Sequence, residues 1–228
     1  MTVTKQILCF GDSNTWGFNP ITHGRYEYQE RWPGIVQNRL GNDYRIIEEG
    51  LNGRTTVWQD PIEGYKSGKD YLIPCLETHS PLDLVIIMLG TNNLKKRFSL
   101  SAYDIAVGAA VLVDLVSKSN CGNQGKAPDI LLIAPTTIGD LNNSWLVDMF
   151  GREQGTITSH QLAQHFSRVA ENFGCYFLDA ALIAEPCAQD AIHFDLEGHQ
   201  KIGLAIAVSF PNQAENFIEY FKKITATI

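Results

Sequence analysis

The chain has 228 residues, 44% of them hydrophobic, and a formal net charge of −7. That apolar fraction supplies a sizeable core, and the length suits one α/β domain, here taken as residues 1–228. An acidic surface argues against a nucleic-acid partner or an anionic membrane partner, and no apolar run approaches the length needed to span a bilayer.

The first apolar run, Gln6–Phe10, reads as a strand and stops at Gly11-Asp12-Ser13-Asn14. Trp32–Leu40 reads as a short helix with Pro33 near its start, where proline is tolerated. Tyr44–Glu48 is the second strand, followed by Gly50-Leu51-Asn52-Gly53-Arg54. A helix is predicted near Lys69–Thr78, with Pro74 as a break or kink. Leu84–Leu89 is apolar without alternation, as suits a strand buried on both faces of a parallel sheet; Gly90-Thr91-Asn92-Asn93 follows it. Ser101–Ser117 opens on Ser101-x-x-Asp104, a capping pattern. Ile130–Ala134 is the fourth strand. The stretch from Pro135 to Ser159 lacks periodicity but holds Trp145, Leu146, Met149 and Phe150, which reads as a lid, an interface element or a helical insertion. Gln161–Asn172 puts Leu162, Phe166, Val169 and Phe173 on one stripe. Tyr176–Leu178 is the fifth strand. Asp195 is the expected N-cap of Leu196–Phe210, and Pro211 separates a further helix around Ala214–Lys223.

This alternation predicts a three-layer α/β/α sandwich, flavodoxin-like, with a parallel five-stranded sheet in the order 2-1-3-4-5. Cys9, Cys75, Cys121, Cys175 and Cys187 form no CxxC pair, and Cys9 and Cys175 read as small core residues. Neither a charged n-region nor a long h-region is visible near Met1. A reduced, cytoplasmic setting is the expectation.

In a parallel sheet, ligands gather outside the carboxyl ends of the strands. The predicted order brings Ser13, Gly53 and Asn92 to one edge, and Asp190-Ala191-Ile192-His193 follows the fifth strand. Those types suit acyl transfer. A serine needs a base, here His193, and the base needs a carboxylate, here Asp190, to fix its tautomer. The backbone N–H groups of Ser13 and Gly53 and the side-chain amide of Asn92 are candidate donors to an oxyanion. Asp12 is a second candidate carboxylate. Trp16 and Phe18 are candidate walls of an acyl pocket. Arg54 is a candidate substrate contact, or a partner of Glu48 or Asp60. His193, Asp195, Glu197 and His199 also admit a zinc or manganese reading, against which His199 reads as a surface residue one turn into a helix. His160 and His165 read as solvated. Neither GxxxxGK[ST] nor GxGxxG occurs.

FGDSNTWG, the glycine of GLNGRTT, GTNN and DAIH resemble the four sequence blocks of the SGNH hydrolases, or GDSL esterases. GDSNTWGF, EEGLNGRTTVWQDP and LDLVIIMLGTNNLK resemble more narrowly the arylesterase/acyltransferase subgroup, which acts on short-chain esters. The resemblance implies Ser13 as nucleophile, Gly53 and Asn92 as oxyanion donors, and His193 and Asp190 as base and orienter. It implies small acetyl-type esters of alcohols, phenols or sugars as substrates, no metal or organic cofactor, and a homo-oligomer. The third block usually reads GxND, and Asn93 stands where the aspartate would be. An asparagine can replace an aspartate that only fixes the loop by hydrogen bonds. If the site needs the charge, a non-catalytic binding module with a decayed esterase site is the alternative.

Overall fold

The computed structural model describes residues 4–208. Five parallel strands, β1 (Lys5–Gly11), β2 (Tyr44–Gly50), β3 (Leu84–Met88), β4 (Asp129–Ala134) and β5 (Tyr176–Asp179), form one sheet in the order β2-β1-β3-β4-β5. The predicted strands and their order are those observed, with ends shifted by one or two residues. The layers follow from the two-residue period of a strand. Leu8 and Phe10 of β1, Val85 and Ile87 of β3, and Ile130 and Leu132 of β4 share one core. Ile7 and Cys9, Ile86 and Met88, and Leu131 and Ile133 share the other.

The first face is covered by α3 (Gly68–His79), α4 (Ala102–Ser117) and α6 (Gln154–Phe173), which send Leu72, Leu112 and Phe166 into that core. The second is covered by α2 (Trp32–Leu40) and α7 (Leu196–Val208), through Trp32, Val36, Ile202 and Ile206. Burying one such side chain fully contributes about 1.5–3 kcal/mol. Among the described residues, no helix is long and apolar enough to cross a membrane.

Local chemistry sets the helix ends. Ser101 caps α4 by accepting the Asp104 N–H at 3.1 Å, and Asp104 accepts the Ser101 N–H at 3.3 Å. At the start of α7, Asp195 Oδ1 accepts the Gly198 N–H at 2.8 Å. Three expectations need correction. α3 continues through Pro74 rather than stopping there. α6 begins at Gln154, inside the stretch without periodicity, because its first turns bury only small or polar residues, Gly155, Thr158 and Ser159. Phe173 is exposed, at the helix end next to a left-handed Gly174, whereas Leu162, Phe166 and Val169 are buried. The C-terminal part of Leu196–Phe210 and the helix around Ala214–Lys223 lie outside the described residues.

His199 also departs from expectation. It is fully buried on α7, with Nδ1 facing the Trp32 N–H at 3.4 Å and its ring edge-on to Tyr26 and Phe194. Burial, with the nearby His193 and Arg31, holds its pKa down at about 3, so the folded protein carries this imidazole neutral. The unfolded chain takes up that proton near 6.5, so the site contributes stability above that pH that is lost as pH falls toward 3. The expected consequence is a difference between wild type and His199→Gln in the slope of urea-unfolding free energy that reaches about 1.4 kcal/mol per pH unit over roughly pH 5.5 to 4.5. Equal slopes would contradict a neutral buried His199.

Candidate active site

The sheet order sets β1 between β2 and β3, with Gly11 in register with Gly50 on one side and Met88 on the other. The chain segments leaving these three strands therefore meet. Asp12 caps α1 (Ser13–Trp16), accepting the Asn14 N–H at 3.0 Å through Oδ1 and the Thr15 and Trp16 N–H groups through its carbonyl. Gly50 permits this close approach, since a Cβ there would sit 2.2 Å from the Trp16 nitrogen. Ser13 occupies the first helical position, where a backbone N–H has no intrahelical acceptor.

Ser13 and His193 meet across 180 residues, with the Ser13 hydroxyl 2.8 Å from His193 Nε2. His193 Nδ1 lies 2.6 Å from Asp190 Oδ2. A carboxylate only accepts, so Nδ1 carries the proton and Nε2 of the neutral ring is free to accept from the serine. Asp190 Oδ1 meanwhile accepts the N–H groups of Ile192 (3.0 Å) and His193 (2.9 Å). Burial alone raises a carboxyl pKa. At Asp190 the bonds from His193 and these backbone donors outweigh it and hold the acid below its ordinary range. The loop is tied further by Ser144 Oγ, which donates to the Asp190 carbonyl at 2.6 Å, and by the Cys187 N–H on the His193 carbonyl at 2.7 Å. These bonds hold Ala191 in the left-handed region, φ 65°, a conformation that costs an L-residue on the order of 1–2 kcal/mol.

Asn14 joins the two loops directly. Its Nδ2 donates to the Ile192 carbonyl at 3.3 Å and its Oδ1 accepts the Phe194 N–H at 2.9 Å. One buried amide thus straddles His193. Nothing in sequence spacing singles it out, because its partners lie far along the chain.

The remaining candidate groups surround Ser13. Gly53 has φ +81° in the turn that closes with the Arg54 N–H on the Leu51 carbonyl at 3.0 Å. A Cβ there would also meet Glu63 Oε2 at 2.3 Å. Asn92 is buried, and its Nδ2 donates to Asp12 Oδ2 at 3.4 Å. Burial pushes the Asp12 carboxyl up to about 6, against the pull of the Asn14 N–H and of His193, Arg54 and Lys95. Asn93 is fully buried, and its Oδ1 accepts the Thr56 N–H at 3.0 Å, tying the segment after β3 to the segment after β2. The acceptor that an aspartate would supply is present. Asn93 Nδ2 has no partner among the described residues.

A cavity of about 140 Å³ opens on Ser13, His193, Gly53 and Asn92. That is a few times the roughly 30 Å³ share of one water in the liquid. Phe18 walls it as expected, with its ring 4.4 Å from that of His193. Trp16 does not line it and instead stacks with the Arg25 guanidinium at 4.8 Å. Arg54 does not line it either. Buried, it donates from Nη1 to the Gly11 carbonyl at 2.9 Å and to the Glu49 carbonyl, with its guanidinium over the Phe10 ring. Its suggested partners are taken: Glu48 by Arg31, and Asp60 by Arg97 and Lys95. Arg54 is thus a brace between the ends of β1 and β2.

Sequence reasoning left the function of three wall segments open or missed them. Trp145, Leu146, Met149 and Phe150, from the aperiodic stretch and α5 (Val147–Phe150), form one wall, so that stretch is a helical insertion that shapes the cavity. Asn52 lies beside Gly53. Glu63 and the buried Lys95, also in the lining, form an ion pair within a network that includes Asp60 and Arg97. The signal for that network would have been a lysine held beside acids more than thirty residues away, which spacing does not reveal. The metal reading of the 193–199 segment fails on geometry. His193 is engaged by Ser13 and Asp190, Glu197 faces solvent beside Lys201, and His199 lies in the core. His160 is exposed, and His165 packs edge-on to Tyr103.

The sequence model of the GDSL-like Lipase/Acylhydrolase family matches residues 9–201. No curated protein matches the chain. Among solved structures, the carbohydrate acetylesterase Est24 from Sinorhizobium meliloti is 38% identical with a TM-score of 0.85, covering 90% of this chain and 97% of its own. The native M. smegmatis aryl esterase is 39% identical with the same TM-score and coverage. A carbohydrate acetylesterase family member from S. meliloti is 33% identical with a TM-score of 0.83, covering 90% of this chain and 96% of its own. The fold is that of these SGNH-type neighbours, and the chain belongs to the GDSL-like lipase/acylhydrolase family and is a carboxylic ester hydrolase.

Proposed function

We propose that the chain hydrolyses small, acetyl-type esters of alcohols, phenols or sugars through an acyl-enzyme on Ser13. The observation that carries this reading is the hydrogen-bonded run from Ser13 Oγ to His193 Nε2 and from His193 Nδ1 to Asp190, at 2.8 and 2.6 Å. Ser13 Oγ attacks the ester carbonyl as its proton passes to His193 Nε2, and Asp190 stabilises the imidazolium. The N–H groups of Ser13 and Gly53 and the Asn92 amide receive the oxyanion; one such donor is worth roughly 3–4 kcal/mol in the transition state. Collapse expels the alcohol, which takes its proton from His193. The same imidazole then deprotonates water for attack on the acyl-serine. An alcohol or a peroxide in place of water makes the second half acyl transfer. No step requires a metal or organic cofactor.

The small cavity supports a short acyl group, and its mixed walls, apolar on the Phe150 side and charged at Glu63–Lys95, suit a polar alcohol portion. The acetylesterase and aryl esterase neighbours point the same way. The decayed-site alternative rested on Asn93, which lies outside the cavity lining and keeps its acceptor role toward Thr56. Five free cysteines support the reduced, cytoplasmic setting, and the net charge supports a small-molecule partner rather than nucleic acid or membrane. Ile21, Ile62, Tyr65 and Trp145 are exposed apolar side chains in or next to segments that wall the cavity. The resemblance to the arylesterase/acyltransferase subgroup implies a homo-oligomer, which would narrow access to the site.

Ser13→Ala is expected to lower kcat for an aryl acetate by at least about 1000-fold while circular dichroism and the unfolding midpoint stay near wild type; retained full activity would refute the nucleophile assignment. Sedimentation velocity is expected to show an assembly of two or more chains, and a single sedimenting monomer at micromolar concentration would remove the oligomer.

A further inference from the structure

Away from the Ser13 cavity, Glu49, Cys75 and His79 converge. Glu49 lies one residue before the end of β2. Cys75 and His79 are four residues apart on α3 and so share one face of that helix. The Cys75 sulfur, a Glu49 carboxylate oxygen and a His79 ring nitrogen all lie within 4.8 Å of one another. His79 Nε2 is 2.8 Å from Glu49 Oε1. Among the described residues, no other three His, Cys, Asp or Glu ligand atoms lie so close together. None of the three has a part in the proposed ester chemistry.

The set has the composition of a zinc-class centre: a soft thiol, an imidazole and a carboxylate, drawn from two rigid elements. Zinc bonds of about 2.0–2.3 Å place tetrahedral ligand atoms a little over 3 Å apart. The three atoms already lie within 4.8 Å of one another, and opening the 2.8 Å His79–Glu49 contact admits an ion between them. The base of the site is dry, with Cys75 1% exposed, whereas the Glu49 and His79 side chains are 20% and 23% exposed, leaving an approach from solvent. The Tyr71 phenol, its pKa raised by burial and then by the nearby Glu49 carboxylate, would serve as an outer partner to that carboxylate. The cation facing the cluster is Arg54, whose guanidinium is held over the Phe10 and Tyr71 rings and bonded to two carbonyls.

We propose that Glu49, Cys75 and His79 form a binding site for one thiophilic divalent cation of the zinc class, with a water in the fourth position and no part in ester hydrolysis. Binding forms metal–sulfur, metal–nitrogen and metal–oxygen bonds in place of bonds to water; the Cys75 proton passes to solvent, and the proton that His79 Nε2 shares with Glu49 leaves that nitrogen, the ring binding as its Nδ1–H tautomer.

Cobalt(II) is the probe, titrated into the full chain after chelator treatment, in a non-thiol reductant. The expected result is a near-ultraviolet thiolate-to-cobalt charge-transfer band that saturates at one ion per chain and is lost on adding equimolar zinc. The band is expected to vanish in Cys75→Ala, to weaken in His79→Asn, and to persist in Cys121→Ala. Circular dichroism confirms that each variant is folded. If Cys75→Ala proves unfolded, His79→Asn carries the same test: a weakened affinity supports the site, and an affinity equal to wild type would overturn it. No band at millimolar cobalt, or a band that survives Cys75→Ala, would overturn the site. Hydrolysis of an aryl acetate, measured in parallel without metal, reports on Ser13 independently.

Discussion

The arrangement depends on holding one imidazole against one hydroxyl across 180 residues of chain. Asn14 and Asp190 divide that task. Asn14 bonds the backbone on both sides of His193, so the element bearing the hydroxyl and the loop bearing the imidazole are fixed to each other rather than separately to the sheet. Asp190 uses one oxygen to shape the loop backbone and the other to orient the ring. The main polar groups of the clamp are buried, so each must find a partner or incur a desolvation cost of about 1–3 kcal/mol. The clamp is therefore stringent, and it persists with Ala191 held in an unfavourable backbone conformation.

The rest of the fold places groups around that contact. Parallel register brings the ends of β1, β2 and β3 together. Arg54 braces two of those ends through their carbonyls, and Asn93 braces the segments that follow β2 and β3. Asn93 keeps the acceptor this buried position uses toward Thr56, while its Nδ2 has no partner among the described residues. Fold and site are linked here through backbone carbonyls and amides more than through side-chain charge.

Much of this was legible in the sequence, for identifiable reasons. Strands buried on both faces leave unbroken apolar runs, and Leu84–Met88 is the plainest. Caps such as Ser101–Asp104 act within one turn and so can be read locally. Ser13, Gly53, Asn92, Asp190 and His193 each follow a strand end, and that shared position is a sequence property. What escaped is what depends on distant partners. Asn14 bonds residues almost the whole chain away. Lys95 and Glu63 meet only in the folded protein. Arg54 turns from the cavity because two carbonyls and two aromatic rings compete for it, and Trp16 turns outward to meet Arg25. His199 sits on the inner face of α7, although its neighbours Glu197 and Lys201 are exposed. The cavity wall at 145–150 shows neither the helical nor the strand period, because its helix, α5, is only four residues long.

The central claim is that Ser13 is a nucleophile activated by His193. Mass spectrometry after treatment with a small alkyl organophosphonate reads this most directly. The account expects one adduct per chain, mapped to the peptide carrying Ser13, formed far more slowly in His193→Ala than in wild type. Labelling elsewhere, labelling indifferent to His193, or no adduct at any reagent concentration would contradict it.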